Sequence, residues 1–217
     1  MKKLLVIGAG GHGSVVADTA EAMGNWQNIE FVDDRFPGLN QFYKWKVIGN
    51  TQSLDTYSKH DVDVIVAIGN NKTRMSYITK LLQAGFHLAT IVHPDAYVSP
   101  LSTIGMGTVV FAKCVVNAGS HIGVGSILNT GCTVDHGCMV GNGVHISPGA
   151  HIAGEVRIGD LSWIGIGASV IQRITIGSNV MVGAGAAIIR DIPDHAKVVG
   201  VPGRIISEGR TDTRELE

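Results

Sequence analysis

Cysteine is scarce in this chain. The 217 residues hold only Cys114, Cys132 and Cys138, too few for a disulfide framework and without the paired spacing of a zinc site. Reduced, buried thiols are the expectation, and no metal is expected. A net charge of −1 gives no electrostatic basis for binding nucleic acid. Long hydrophobic runs are also missing. The opening Leu4-Leu5-Val6-Ile7 stops at Gly8, so it reads as a buried strand rather than a signal peptide. No membrane insertion is expected, and a cytoplasmic location is. Between Val98 and Ser169 charge almost vanishes, with only Lys113, Asp135, Glu155, Arg157 and Asp160. A solvated monomer surface carries far more. Some faces of that half are therefore expected to be covered by other copies of the chain.

What is present is a period. From Val92 to Ile188 an Ile, Leu or Val recurs at every sixth residue, seventeen times in succession. Six fits neither an α-helix nor a two-faced strand, and marks a parallel β-helix built from short, stacked units. Counting each aliphatic residue as the first of its unit, the fourth is often glycine (Gly107, Gly119, Gly125, Gly131, Gly137). Tight corners with positive φ demand this. The fifth is small (Ser102, Thr108, Cys114, Ser120, Ser126, Cys132, Cys138) and is expected to fill the interior beside the aliphatic residue.

The first ninety residues read differently. Strands are predicted at Lys3–Ile7, Ile29–Val32 and Val62–Ile68, with helices at Ser14–Met23 and about Thr73–Ala84 and a short strand near His87–Ile91. Such alternation means a small parallel α/β domain. Gly8, Gly10 and Gly13 match G-x-G-x-x-G, and Asp33 follows at dinucleotide-fingerprint distance. Too few strands follow for two mononucleotide halves. A nucleotide-linked substrate at the helix N-terminus therefore fits better than NAD.

The hexapeptide period resembles that of the hexapeptide-repeat acyltransferases. The resemblance implies a left-handed β-helix with 18 residues per triangular coil, so that residues i and i+18 stack about 4.8 Å apart. The GAGGHG opening, the F-V-D-D strand end and the A-I-G-N-N loop ahead of such a solenoid are similar to bacterial nucleotide-sugar acetyltransferases. Most similar are the UDP-4-amino-sugar N-acetyltransferases of bacillosamine-type pathways, in a family that also contains sialic acid O-acetyltransferases. The expected division is a Rossmann-like nucleotide-sugar domain at 1–91, a left-handed β-helix at 92–204 and a tail at 205–217.

The resemblance implies a homotrimer that uses acetyl-CoA and a nucleotide-sugar, with active sites between subunits. Nucleotide-sugar contacts match Gly10, Gly11, His12, Asp33, Asp34 and Gly69. The catalytic base matches His136 and the oxyanion donor Gly154, which an 18-residue coil stacks on it. Contacts to acetyl-CoA match His145, Ile166 and Ala184, the last a glycine in the family. His145 faces another side of the prism and is expected to meet His136 only across a subunit interface. Relatives carry an acid after the base, where this chain has Gly137. Glu155, one coil away, is the expected substitute. The alternative activity is O-acetylation of a sialic acid or another sugar hydroxyl. A zinc-dependent enzyme of the same fold and a non-enzymatic scaffold are the more distant readings.

Overall fold

The computed structural model describes residues 2–208. Strand β1 (Lys3–Ile7) lies between β2 (Asn28–Val32) and β5 (Val62–Val66), all parallel. Outward from β2 come β4 (Trp45–Gly49), parallel to it, and β3 (Gln41–Phe42), which forms an antiparallel hairpin with β4. On the other edge, β6 (His87–Leu88) adds to β5. The apolar run of β1 is fully buried because helices α1 (Gly11–Met23) and α2 (Asn71–Gln83) complete the domain around the sheet. The hairpin and the 3-10 turn Thr51–Thr56 carried no strong sequence period and were not anticipated.

Both helices start earlier than the periodicity predicts. Extended Gly10 caps α1 without a side-chain bond, and the Asn70 side chain caps α2 by accepting from Thr73 N at 3.0 Å. Capping satisfies amides that the apolar pattern cannot reveal.

From Ile91 onward the chain becomes a prism of two-residue rungs. Three parallel sheets run along it, beginning at Ile91–Val92, Tyr97–Val98 and Thr103–Ile104. Register pairs each rung with the one 18 residues on, as in Val116↔Val134 and Val134↔Ile152. The sixfold aliphatic residue is the second of each rung and points inward: Val110, Val116, Leu128, Val134, Ile146 and Ile164 are all inaccessible to solvent. Burying each contributes about 1.5–3 kcal/mol. The corner position has positive φ even where glycine is replaced, at Lys113, Glu155, Leu161, Arg173 and Asn179.

The small fifth residues do more than fill space. Ser120 Oγ donates to Asp135 O (2.6 Å) and accepts from Cys138 N (3.0 Å), and Ser126 and Ser162 repeat the pattern. Cys114 and Cys138 use the same site, donating to Asn129 O and Ala153 O. The three thiols are buried and free. Two-residue strands have little ladder of their own, so these side chains tie one coil to the next.

The prism ends with Ala196–Val199 paired antiparallel to Arg204–Glu208. That last strand runs on from position 204 to Glu208. The remainder of the expected tail, 209–217, lies outside the described residues. One continuous core joins the prism to the α/β domain, from Leu4 and Val16 through Phe31 to Ile91, Val110 and Phe111. No helix among the described residues is long and apolar enough to cross a membrane.

Candidate active site

The crevice at the carboxyl ends of β1, β2 and β5 is lined by glycines of two kinds. A Cβ on Gly13 would meet Gly8 O at 2.1 Å, so the tight strand–helix turn itself requires glycine there. Side chains on Gly10, Gly11 and Gly69 would meet nothing within 4 Å. The fold does not need those three to be glycine, and the open space over them suits a ligand approaching the backbone.

Asp33 and Asp34 sit at the rim but are already engaged. Asp33 accepts from Ala9 N (2.8 Å) and from Arg35 N and Nε (3.0 and 2.8 Å), while Arg35 Nη2 also reaches Ala9 O (2.7 Å). The Arg35 hydrogen bond, with help from Ala9 N–H, holds the Asp33 carboxyl down at about 2. Asp34 accepts from the backbone and hydroxyl of Thr51 (2.9 and 2.7 Å). Both carboxylates therefore brace the loops of the crevice, and the exposed Arg35 guanidinium takes a place at its rim that the sequence motif did not reveal.

His12 leaves the glycine loop toward the prism. Its ring meets Phe111 edge-on at 5.6 Å, and Nε2 is buried without a partner among the described residues. Burial, then the charge of Arg74, lowers its pKa to about 4. His145 lies at the same junction. It is 6% exposed, against Trp163 at 4.1 Å, and its Nε2 is 3.1 Å from Asn129 Nδ2. Asn129 Oδ1 accepts from Thr130 N, so its amide nitrogen donates to Nε2. In neutral His145 the proton then sits on Nδ1, which is buried without a partner among the described residues. Burial, Arg74 and His12 lower the pKa of His145 to about 3.

His136 lies at another corner of the prism and is exposed. A Cβ on Gly154 would sit 2.5 Å from His136 Nε2 and 2.6 Å from Cε1. The imidazole therefore lies directly over the glycine one coil on, as 18-residue stacking predicts. The Gly154 N–H donates to no acceptor among the described residues, and Glu155 N donates to His136 O at 2.8 Å. Asp135 Oδ1 accepts from the His136 backbone N (2.8 Å) and from Asn117 (3.0 Å), and does not hydrogen-bond the ring. A groove of about 530 Å³ runs beside this corner, lined by Asn117, Thr133, Asp135, His151 and Gln172.

Glu155 stacks on Gly137, with its Cγ 3.5 Å from where a Cβ on that glycine would lie. Its carboxylate turns to Arg173 (Nε–Oε2 3.1 Å) and makes no hydrogen bond to His136. The cause is stacking: Arg173 occupies the next corner, 18 residues on, and offers a full positive charge. Ile166 and Ala184 also stack on each other at an exposed corner, with Gly185 N donating to Ile166 O. Within one chain no hydrogen bond joins His136 to His145. A second cavity, of about 680 Å³, lies elsewhere, between α1 and the β3–β4 hairpin beside Ser14, Asp18, Tyr43 and Trp45.

The comparisons with known proteins bear on this geometry. Residues 3–81 match the PglD N-terminal domain. The acetyltransferase domain of PglB from Neisseria gonorrhoeae FA1090 superposes with a TM-score of 0.93 at 48% identity, covering 95% of this chain and 100% of that one. The chain belongs to the bacterial nucleotide-sugar acetyltransferases. Its solenoid is the left-handed β-helix of that family. The same PglB domain in complex with acetyl coenzyme A matches with a TM-score of 0.92. PerB from Caulobacter crescentus, in complex with CoA and GDP-perosamine, matches at 34% identity and a TM-score of 0.89, over 95% of this chain and 98% of that one. The UDP-N-acetylbacillosamine N-acetyltransferase of Bacillus subtilis (strain 168) is 35% identical over 112 residues, 51% of each chain. The match thus spans about half the length of that curated relative.

Arg74 escaped the sequence reading. The signal was there: Asn71, Arg74, Ile78 and Leu81 form one buried stripe of α2, and an arginine on an apolar stripe needs a polar explanation.

Proposed function

We propose that this chain transfers the acetyl group of acetyl-CoA to the 4-amino group of a UDP-4-amino-4,6-dideoxy sugar. The observation that carries the reading is the His136 ring lying over the free Gly154 amide. A base and an oxyanion donor there flank one point on an open corner. Acetyl-CoA supplies the activated carbonyl carbon and a thiolate leaving group. His136 takes the proton from the attacking amine as the N–C bond forms. The Gly154 N–H donates to the oxyanion until the C–S bond breaks, and the departing thiolate takes the proton from His136 to leave as the thiol.

Gly10, Gly11 and Gly69 leave room for the nucleotide, with Asp33 and Asp34 holding the loops around it. His145, Ile166 and Ala184 receive the acetyl-CoA arm, and a homotrimer brings them beside His136 of a neighbouring copy. The shortage of charge on the prism, the 57% exposed Ile166 and the absence of contact between His136 and His145 within one chain support that assembly. Positioning two bound substrates supplies much of the rate.

Thiol release from acetyl-CoA, measured with a panel of UDP- and GDP-linked 4-amino sugars and hydroxyl acceptors, tests the reading. Turnover with UDP-4-amino sugars is expected. Turnover confined to hydroxyl acceptors would make the enzyme an O-acetyltransferase and end the N-transfer reading.

A further inference from the structure

Arg74 is 1% exposed, and five neutral acceptors take up its N–H groups. Nε donates to Gly125 O (2.7 Å), Nη1 to Ile68 O and Gly69 O (2.9 Å each), and Nη2 to Asn71 Oδ1 (2.7 Å) and Gly143 O (2.9 Å). Asn71 in turn donates to Leu161 O at 3.0 Å. One side chain thus ties the crevice loop Ile68–Gly69 to two coils of the prism, and its neighbour reaches a third.

Hydrogen bonding is complete, but charge is not. No carboxylate pairs with Arg74 among the described residues; Asp33 is matched by Arg35, and Asp34 is turned to Thr51. A buried cation without a counter-ion is expensive. A neutral side chain would serve a purely mechanical clip at lower cost. The charge lies one hydrogen bond beneath Gly69, whose upper side is open. Its field also reaches the glycine loop, where it helps keep His12 neutral.

We propose that Arg74 is a positioning residue for the nucleotide diphosphate: it fixes the crevice loop against the prism and keeps one positive charge unmatched until that anion arrives. Since all five N–H groups are engaged, Arg74 acts through space rather than by direct contact. This rests on the nucleotide reading of the crevice.

The test compares affinities for UDP and uridine, and in parallel GDP and guanosine, by calorimetry in wild type, Arg74→Met and Arg74→Gln. Two neutral variants are used so that one that fails to fold leaves the other. A unit charge acting across a short, partly buried distance predicts diphosphate binding weakened on the order of tenfold, with nucleoside binding nearly unchanged. Asn71→Ala loosens the clip but keeps the charge; its melting temperature should fall while its diphosphate-to-nucleoside ratio stays at the wild-type value. Equal loss of diphosphate and nucleoside in the neutral variants would reduce Arg74 to a structural clip and overturn the proposal. If wild type bound none of the four ligands, the nucleotide reading itself would fall, and the two failures are distinct.

Discussion

The two places where histidines gather differ in solvent, and the difference assigns them different work. At the domain junction His145 is buried and His12 half-buried with its Nε2 enclosed, and desolvation with the charge of Arg74 keeps both rings neutral. At the prism corner His136 is open to solvent over Gly154. A ring that must take and return a proton needs the second environment. A ring that must present one fixed N–H to a ligand is better placed in the first. Residue type alone does not separate the two roles.

The sharpest way to break this contrast is to remove the exposed imidazole. His136→Ala should lower kcat by about 10²–10⁴-fold with little change in melting temperature. Undiminished turnover would remove His136 as the base. A milder version keeps the ring and moves it. The methyl of Gly154→Ala would overlap the end of a flexible side chain rather than backbone, so the fold should persist while kcat drops about 10–10²-fold. Full activity would show that the stacked geometry is incidental.

The buried pair makes a prediction about stability. Free histidine titrates near 6.5, whereas His12 and His145 in the folded chain do so near 4 and 3. Unfolding therefore takes up protons between those values. Stability from keeping the rings neutral is complete above about pH 6.5 and is lost as pH falls below it. Among the described residues Arg74 is the charged group that acts on both rings, and His12 acts on His145; Phe111, Trp163 and Asn129 pack against them. Each ring should add a slope of at most about 1.4 kcal/mol per pH unit. Urea melts from pH 7 to 5 should show a shallower dependence in His12→Asn and His145→Gln; an unchanged slope would mean that the rings charge freely in the fold.

Smaller effects separate glycines the fold needs from those it leaves open. Gly69→Ala should keep or slightly raise stability, by about 0.4–1 kcal/mol, and Gly10→Ala, at the helix N-cap, should lower it slightly; both should raise KM for the nucleotide-sugar several-fold. A KM equal to wild type would show that no ligand approaches there. The smallest change is expected from Glu155→Gln, because Arg173 already holds that carboxylate. A clear shift of the acid limb of the rate profile would mean that it serves His136 after all.

Much of this was legible in residue order. The sixfold aliphatic positions, the small fifth residues and the positive-φ corners each appear where the repeat places them, because a solenoid contact is local: residue i meets i+18 whatever the rest of the chain does. Hence Gly154 beneath His136 was foreseeable from counting. Contacts that cross between domains were not. Nor, inside the α/β domain, were the bonds that Arg35 and Ala9 make to Asp33. The pairing of Glu155 with Arg173 was not read either, although that partner is itself an i+18 neighbour; stacking names the neighbours but not which of two a flexible carboxylate prefers.

By itself, then, the order of residues determined the prism, its rungs and the vertical company each side chain keeps, since a strict period leaves one way to bury the aliphatic face. Only the tertiary structure decided that His12, His145 and Arg74 meet at the seam between domains and that no carboxylate among the described residues pairs with Arg74 there. Those encounters depend on how one folded unit docks on another, and docking is set by surface shape and by carbonyl groups that no side-chain pattern records.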